Sequence, residues 1–250
     1  MFREFHYQVR GRGHVLEGTR GQDRTAYLAC RGVQVICLSD GAGSAAHSEI
    51  GAQILVDAGC ELLSERFGDF VSSDDGVALK LEIVDYLLHR LDDVAKARAV
   101  GIGDLAGTFL AVATAGNQFV IVHVGDGVVG YVKDGSARVA SNPDNAEFAN
   151  QTTFLTSRGA AVGMRIIRGH LDSITGFILM SDGTANSLYN SRTGVLAPAC
   201  SKIVGLLAHA PTRQAKNPKH KKQLRRLVDT KIRFATKDDC AIAVLARKPA

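Results

Sequence analysis

Three apolar runs in this chain each stop on an aspartate followed by glycine: "VQVICLSDG" (33–41), "FVIVHVGDG" (119–127) and "FILMSDG" (177–183). Runs of this length, rich in Val, Ile and Phe and without polar alternation, read as strands covered on both faces. One Asp-Gly after one strand is ordinary turn chemistry. Three of them, with Asp238-Asp239 in front of a further apolar run, "CAIAVLA" (240–246), form a set. In an antiparallel sheet the end of one strand and the start of its neighbour share an edge. Asp40, Asp126, Asp182 and Asp238 can therefore meet.

The intervening sequence supports antiparallel sheets. Residues 25–30 and 33–39 read as strands split at Arg31-Gly32. Strands follow over 108–115, 118–124, 128–133 and 136–140, and the dipeptides Gly116-Asn117 and Asp134-Gly135 between them are hairpin turns. Residues 165–172 and 176–181 read as one more hairpin. Helical spacing covers 44–66, with Ala46, Ile50, Ile54, Ala58 and Leu62 on one face. It returns over 77–97, with Val77, Leu81, Val84, Leu88, Leu91 and Ala95 as the apolar stripe, and again over 197–209 and 219–229. No linker rich in Pro, Gly or Ser divides the chain. Residues 1–250 thus read as a single α+β domain: two packed, mainly antiparallel β-sheets flanked by α-helices.

Composition narrows the function classes. No apolar run approaches a membrane span, and "MFREFHYQVRGRG" has no apolar signal-peptide core. Five scattered cysteines (30, 37, 60, 200 and 240) lack C-x-x-C pairing, which favours reduced core thiols in a cytoplasm over zinc or disulfides. The net charge of +5 is uneven: residues 212–233 hold nine of the 30 Lys and Arg but only Asp229 among the acids. That run reads first as a solvated helix face and second as a dock for an acidic partner. With only Phe234 at its edge, base stacking, and with it nucleic-acid binding, is not supported. His47, His123 and His170 lack metal-ligand spacing, and His123, inside an apolar strand, reads as a core residue.

Clustered carboxylates repel, and partial burial makes the repulsion costly. No set of Arg or Lys accompanies these motifs, whereas a divalent cation would compensate. An oxygen-only donor set suits Mg²⁺ or Mn²⁺ over zinc. Glycine beside Asp40, Asp126 and Asp182 lets the backbone approach and offers a carbonyl. Two such ions about 4 Å apart activate water for attack on phosphorus.

In this order, "GQDRTAY", "SDGAGSAAHSEIGA", "GTFLAVAT", "VGDGVVGYV", "ILMSDG" and "DDCAIAVL" resemble the metal-dependent serine/threonine phosphatases of the type 2C (PPM) family, over about residues 10 to 246. "EFANQTTFLTS" (147–157) looks like the compact bacterial branch. The resemblance implies that Asp40 bridges two metals, with the Gly41 carbonyl on one of them. Asp182 and Asp238 would hold the first ion, Asp23 the second through water, and Asp126 a third, weaker one. It also implies a β-sandwich fold, a phosphorylated protein as substrate, a cognate Ser/Thr kinase as opponent and in some members a von Willebrand-type adaptor.

Three departures stand out. Where many members place a phosphate-gripping Arg, five residues before the "QD" aspartate, this chain has Gly18, and His14 and Arg20 are the nearby candidates to replace it. Where some eukaryotic members carry a His two residues after the bridging aspartate, it has Ala42, and "GDG" stands for the commoner Gly-Asp-Ser. The expected function is a protein serine/threonine phosphatase that uses a two-metal-activated water, with Asp40 and Asp182 central to it. The alternative is a catalytically weak binding or regulatory module on the same fold.

Overall fold

The structure is a computed structural model that describes residues 1–143, 152–211 and 218–249. The chain opens with β1 (Arg3–Val9), α1 (Arg12–Glu17), β2 (Arg24–Cys30), β3 (Val33–Ser39), α2 (Ser48–Glu65), α3 (Phe67–Ser72) and α4 (Gly76–Arg98). Next come β4 (Phe109–Ala115), β5 (Gln118–Val124), β6 (Val128–Lys133), β7 (Ser136–Ser141), α5 (Ala160–Gly163), β8 (Arg165–His170) and β9 (Ile174–Met180). The last third holds α6 (Asp182–Leu188), β10 (Tyr189–Asn190), β11 (Val195–Leu196), α7 (Ala199–Ala208), α8 (Lys219–Leu227), α9 (Arg233–Ala235) and β12 (Cys240–Ala246). A π-helical turn, Val228–Ile232, joins α8 to α9.

Two five-stranded sheets, in the orders β1-β12-β9-β6-β7 and β2-β3-β4-β5-β8, lie face to face, with every pairing antiparallel. The period-two alternation of each strand explains the layers. Ile36 and Leu38 of β3, Leu110 and Val112 of β4, and Ala241, Ala243 and Leu245 of β12 fill the space between the sheets. Their neighbours Val35, Cys37, Ala111 and Ala113 face outward against α2 and α4. On the other sheet Ile178, Met180, Ile242 and Val244 pack under α7 and α8. Both faces of the central strands are thus covered, which is why their sequences are apolar throughout. The result is an α+β fold of two mainly antiparallel β-sheets flanked by α-helices, as the sequence predicts.

Three local expectations need correction. The segments 165–172 and 176–181 do not form a hairpin: β8 pairs with β5 in one sheet and β9 with β6 and β12 in the other. Leu171 between them is buried among the inter-sheet residues, so the chain crosses from sheet to sheet there. The stripe on α4 is rotated: Leu79, Ile83, Val84, Leu87, Leu91 and Ala95 are buried, while Val77 and Leu81 are exposed. The face of α2 is likewise wider than the row of Ile50 and Ile54, which are only half-buried, because Leu55, Val56 and Leu63 also pack inward. In addition, β1 and α1 lie where no element was expected, and "EFANQTTFLTS" falls partly outside the described residues.

His123 of β5 is fully buried, with Nδ1 2.8 Å from Ser141 Oγ and 3.3 Å from an Arg165 guanidinium nitrogen. The guanidinium can only donate, so Nδ1 accepts and the ring is neutral. Burial, and then Arg165, push its pKa down to about 3. The unfolded chain binds this proton near the ordinary value of 6.5 and the folded chain does not, so acid favours unfolding. Between pH 6.5 and 3 this residue should cost up to about 1.4 kcal/mol of stability per pH unit. Urea titrations of wild type and His123→Gln between pH 7 and 5 check this, and the variant is expected to show the flatter profile.

Candidate active site

The strands bring the acids to one end of the sandwich by geometry alone. Asp23 precedes β2, and Asp40 follows β3, the antiparallel neighbour of β2. Asp126 follows β5, two strands further along the same sheet. Asp182 follows β9, and the Asp238-Asp239 pair precedes β12, again antiparallel neighbours in the second sheet.

Asp40 sits at the centre of this edge. Its N–H donates to Thr108 Oγ1 at 2.9 Å and its carbonyl accepts from the Thr108 N–H at 2.8 Å, which pins it to the start of β4. Its pKa is raised well above the carboxylate range, first by burial, then by Asp23, Asp182 and Asp126. Gly41 is required by a close approach: a Cβ there would lie 2.8 Å from the Ser48 Cβ and 2.9 Å from the Ser48 carbonyl. Gly127 has a similar reason, since a Cβ would lie 2.7 Å from the Met180 carbonyl oxygen. The Gly in "GDG" therefore makes room for β9.

The other acids are partly satisfied by polar neighbours. Asp23 is buried, and its Oδ2 accepts from Ser181 Oγ at 2.8 Å, while Oδ1 is buried without a partner among the described residues. Burial and then Asp239 raise its pKa far above the usual range. Asp182 opens α6 and accepts from the Gly183 N–H, yet burial, Asp238 and Asp126 push it up to about 6. Asp126 accepts from Thr152 Oγ1 at 2.6 Å. Asp238 is exposed and accepts from the Asp239 N–H at 2.8 Å.

Asp239 is the residue that sequence reasoning passed over. It is buried and accepts from the Gly11 and Gln22 N–H groups and from His14 Nδ1 at 2.9 Å. One carboxylate thus fastens both ends of the 11–22 segment to the start of β12. The two nearby candidates for a phosphate clamp separate accordingly. His14 is held one side chain away from Asp23, whereas Arg20 is largely exposed and pairs with Glu49 at 3.1 Å. Gly18 ends α1 at φ +74°, a conformation an arginine would adopt only under strain. Ala42 is buried, with its N–H on the Ala106 carbonyl.

As the side chains stand, no three His, Cys, Asp or Glu groups among the described residues are arranged to hold a metal ion. The chemistry of the donors still fits a hard divalent cation: all are oxygens, and one buried carboxylate oxygen of Asp23 has no partner. Burial first, and then neighbouring carboxylates, raise the pKa values of Asp23, Asp40 and Asp182.

These features define a helix-flanked double-sheet protein whose chemistry is concentrated in acids at one shared sheet edge. Residues 10–229 match the family model described as Protein phosphatase 2C, and the chain belongs to that family. It is 27% identical over 126 residues to Serine/threonine-protein phosphatase 3 of Escherichia coli (strain K12), covering 50% of this chain and 49% of the relative. The chain thus spans about half the length of that curated relative. Among solved structures it superposes on the serine/threonine phosphatase Stp1 from Staphylococcus aureus with a TM-score of 0.63 at 16% identity, covering 99% of this chain and 96% of the other. The catalytic domain of the serine/threonine protein phosphatase PstP, in complex with two manganese ions, gives a TM-score of 0.62 at 18% identity over 98% and 97%. At these identities the superpositions show the shared fold.

Removing one repelling carboxylate should stabilise the metal-free protein. Asp182 alone, raised from 3.8 to about 6, stores on the order of 1–3 kcal/mol at neutral pH. Asp40→Asn in EDTA at pH 7.5 is expected to raise the thermal midpoint by about 2–8 °C. A midpoint at or below wild type in scanning fluorimetry would contradict the repulsion.

Proposed function

We propose that this chain is a metal-dependent phosphatase hydrolysing phosphoserine and phosphothreonine in proteins. The observation that carries the reading is the position of Asp40 at the end of β3, on the edge that Asp126 shares, where burial and then Asp23, Asp182 and Asp126 raise its carboxyl well above the usual range. In this proposal Asp40 would serve both of two ions and the Gly41 carbonyl one of them, Asp182 and Asp238 would help hold the first ion, and Asp23 would serve the second. Asp126 holds a weaker third. Mn²⁺ or Mg²⁺, when bound there, would polarise phosphoryl oxygens and make water more acidic. The two manganese ions named for PstP support the stoichiometry.

The chain's own residues then act around that centre. Thr108 and Ser39 fix the backbone on either side of Asp40, the latter through Oγ donating to the Thr108 carbonyl at 2.6 Å. Ser181 orients Asp23 and at the same time accepts from the Ala241 N–H at 2.9 Å, tying the two sheets' acids together. Asp239 accepts from His14 Nδ1, so that in the imidazolium form the Nε2–H would donate to a phosphoryl oxygen. His14 then takes the place that Gly18 cannot fill. One observation favours the alternative, a catalytically weak regulatory module: positions 18 and 42 are committed to helix termination and to burial.

The broader proposal is one phosphatase domain over 1–250, of the compact bacterial branch, acting on a phosphorylated protein opposite a Ser/Thr kinase. Four of its five free cysteines are buried, which suits a reducing cytoplasm. No helix among the described residues is long and apolar enough to cross a membrane.

Hydrolysis of p-nitrophenyl phosphate and of phosphoserine peptides should need Mn²⁺ or Mg²⁺ and stop in EDTA. Asp40→Asn should lower kcat by about three orders of magnitude or more while leaving the fold intact; wild-type turnover in that variant rules out the role given to Asp40. Replacing the two clamp candidates separates them. His14→Ala is expected to raise KM about tenfold, and Arg20→Ala to change it less than about twofold. The reverse order would move the phosphate contact to Arg20.

A further inference from the structure

A groove of about 850 Å³ opens beside the acidic edge. Asp126 and Asp182 line it together with Asn186, Ser187, Tyr189 and Arg192. Because α6 starts at Asp182 and ends where the β10–β11 hairpin begins, the lining runs from the carboxylates along one helix to Arg192. The volume is that of a site for a sizeable ligand, far beyond a phosphate group alone.

The far end is built and rigid. Asn190 Oδ1 accepts from the N–H groups of Arg192 and Thr193 at 3.0 and 3.1 Å, and the Gly194 N–H closes the turn on the Asn190 carbonyl at 2.8 Å. Leu196 anchors the hairpin in the core, the Ala197 N–H bonds the Leu188 carbonyl, and Tyr189 OH donates to Asn142 Oδ1 at 3.1 Å. On this support Arg192 is exposed and makes no ion pair among the described residues. An exposed arginine carried on a hydrogen-bonded hairpin at the end of the groove points to an occupant that bears an acid.

We infer that this groove seats the polypeptide flanking the phosphorylated residue of a protein substrate, with Arg192 pairing to an acidic side chain on it. The inference rests on the phosphatase reading of Asp126 and Asp182. The seven residues of α6 rise about 10 Å. An extended peptide covers that in about three residues at ~3.3 Å each. Arg192 lies beyond the end of that helix, so the acid it reads lies at least about three positions from the phosphoresidue, clear of the carboxylates that would repel it.

Fluorescence anisotropy with the Mn²⁺-loaded protein tests this without turnover. The probes are peptides carrying a non-hydrolysable phosphonate analogue of phosphoserine, with Glu, Ala or Lys three residues to either side. Wild type should bind one of the Glu peptides about fivefold or more tightly than its Lys counterpart. Arg192→Glu should reverse that order, Arg192→Lys should keep part of it, and Asn186→Trp, which fills the groove, should weaken all peptides. Thermal melts of each variant verify that it is folded. No measurable binding, equal affinity for the Glu, Ala and Lys peptides, or an unchanged order in Arg192→Glu overturns the proposal. Hydrolysis of p-nitrophenyl phosphate is measured in parallel. Its absence alongside an acid preference would remove the phosphatase reading and keep the groove, and its presence without peptide preference would do the opposite.

Discussion

The mutual repulsion of carboxylates at one end of the sandwich is the constraint around which this fold is arranged. Burial raises the pKa of Asp23, Asp40 and Asp182, and each acid worsens the position of the others. Such a cluster is unfavourable without a cation, and nothing in the packing of the core requires it. The core could close equally well over Asn or Ser at these positions. What holds the acids together is the sheet interior: Ile36 and Leu38 lead into Asp40, Leu179 and Phe177 lead toward Asp182, and all are buried between the sheets. Apolar burial, at about 25 cal/mol per Å², supplies the free energy that offsets the electrostatic strain.

The Asp238-Asp239 pair shows how neighbouring residues of one type divide the work. Both lie in the segment that leads into β12, and they differ in burial. Asp238 is exposed toward Asp182, whereas Asp239 is buried and holds the Gly11, Gln22 and His14 donors. Gly11 belongs to the same device, since a Cβ there would lie 2.3 Å from the Asp238 carbonyl carbon. The segment from Gly11 to Gln22 is thereby fixed against the acids, and His14 is carried with it.

Much of the architecture was legible because buried strands and tight hairpins leave strong local marks. Gly116-Asn117 and Asp134-Gly135 indeed join β4 to β5 and β6 to β7. The misreadings share a physical cause, in that tertiary contacts decided where local pattern was silent. The strand β1, "REFHYQV", interleaves Arg3, Glu4, His6 and Gln8 with its aromatics, and those polar groups are satisfied only by distant partners such as Lys221 for Glu4 and Thr25 for His6. The supposed hairpin of β8 and β9 failed because a short connection can join two sheets as readily as two neighbours in one. Asp239 was invisible because nothing local distinguishes it from Asp238. Only the fold reveals which of the two faces inward.

The basic character of α8 is partly spent inside the molecule. Leu224, Val228 and Ile232 bury one side of this segment against the sheet. On its flank Lys221 pairs with Glu4, Arg225 lies 5.7 Å over the Tyr7 ring, and Tyr7 OH donates to Asp229 at 3.0 Å. All of these partners lie on β1, the outermost strand of its sheet. An edge strand with exposed backbone groups invites pairing with another chain, and charged cover is one way to prevent it. Lys221 and Arg225 of α8 thus act on the fold, by engaging side chains of the edge strand β1. That packing also bears on the acidic end, because β1 pairs with β12 along its whole length and the Asp238-Asp239 pair directly precedes β12.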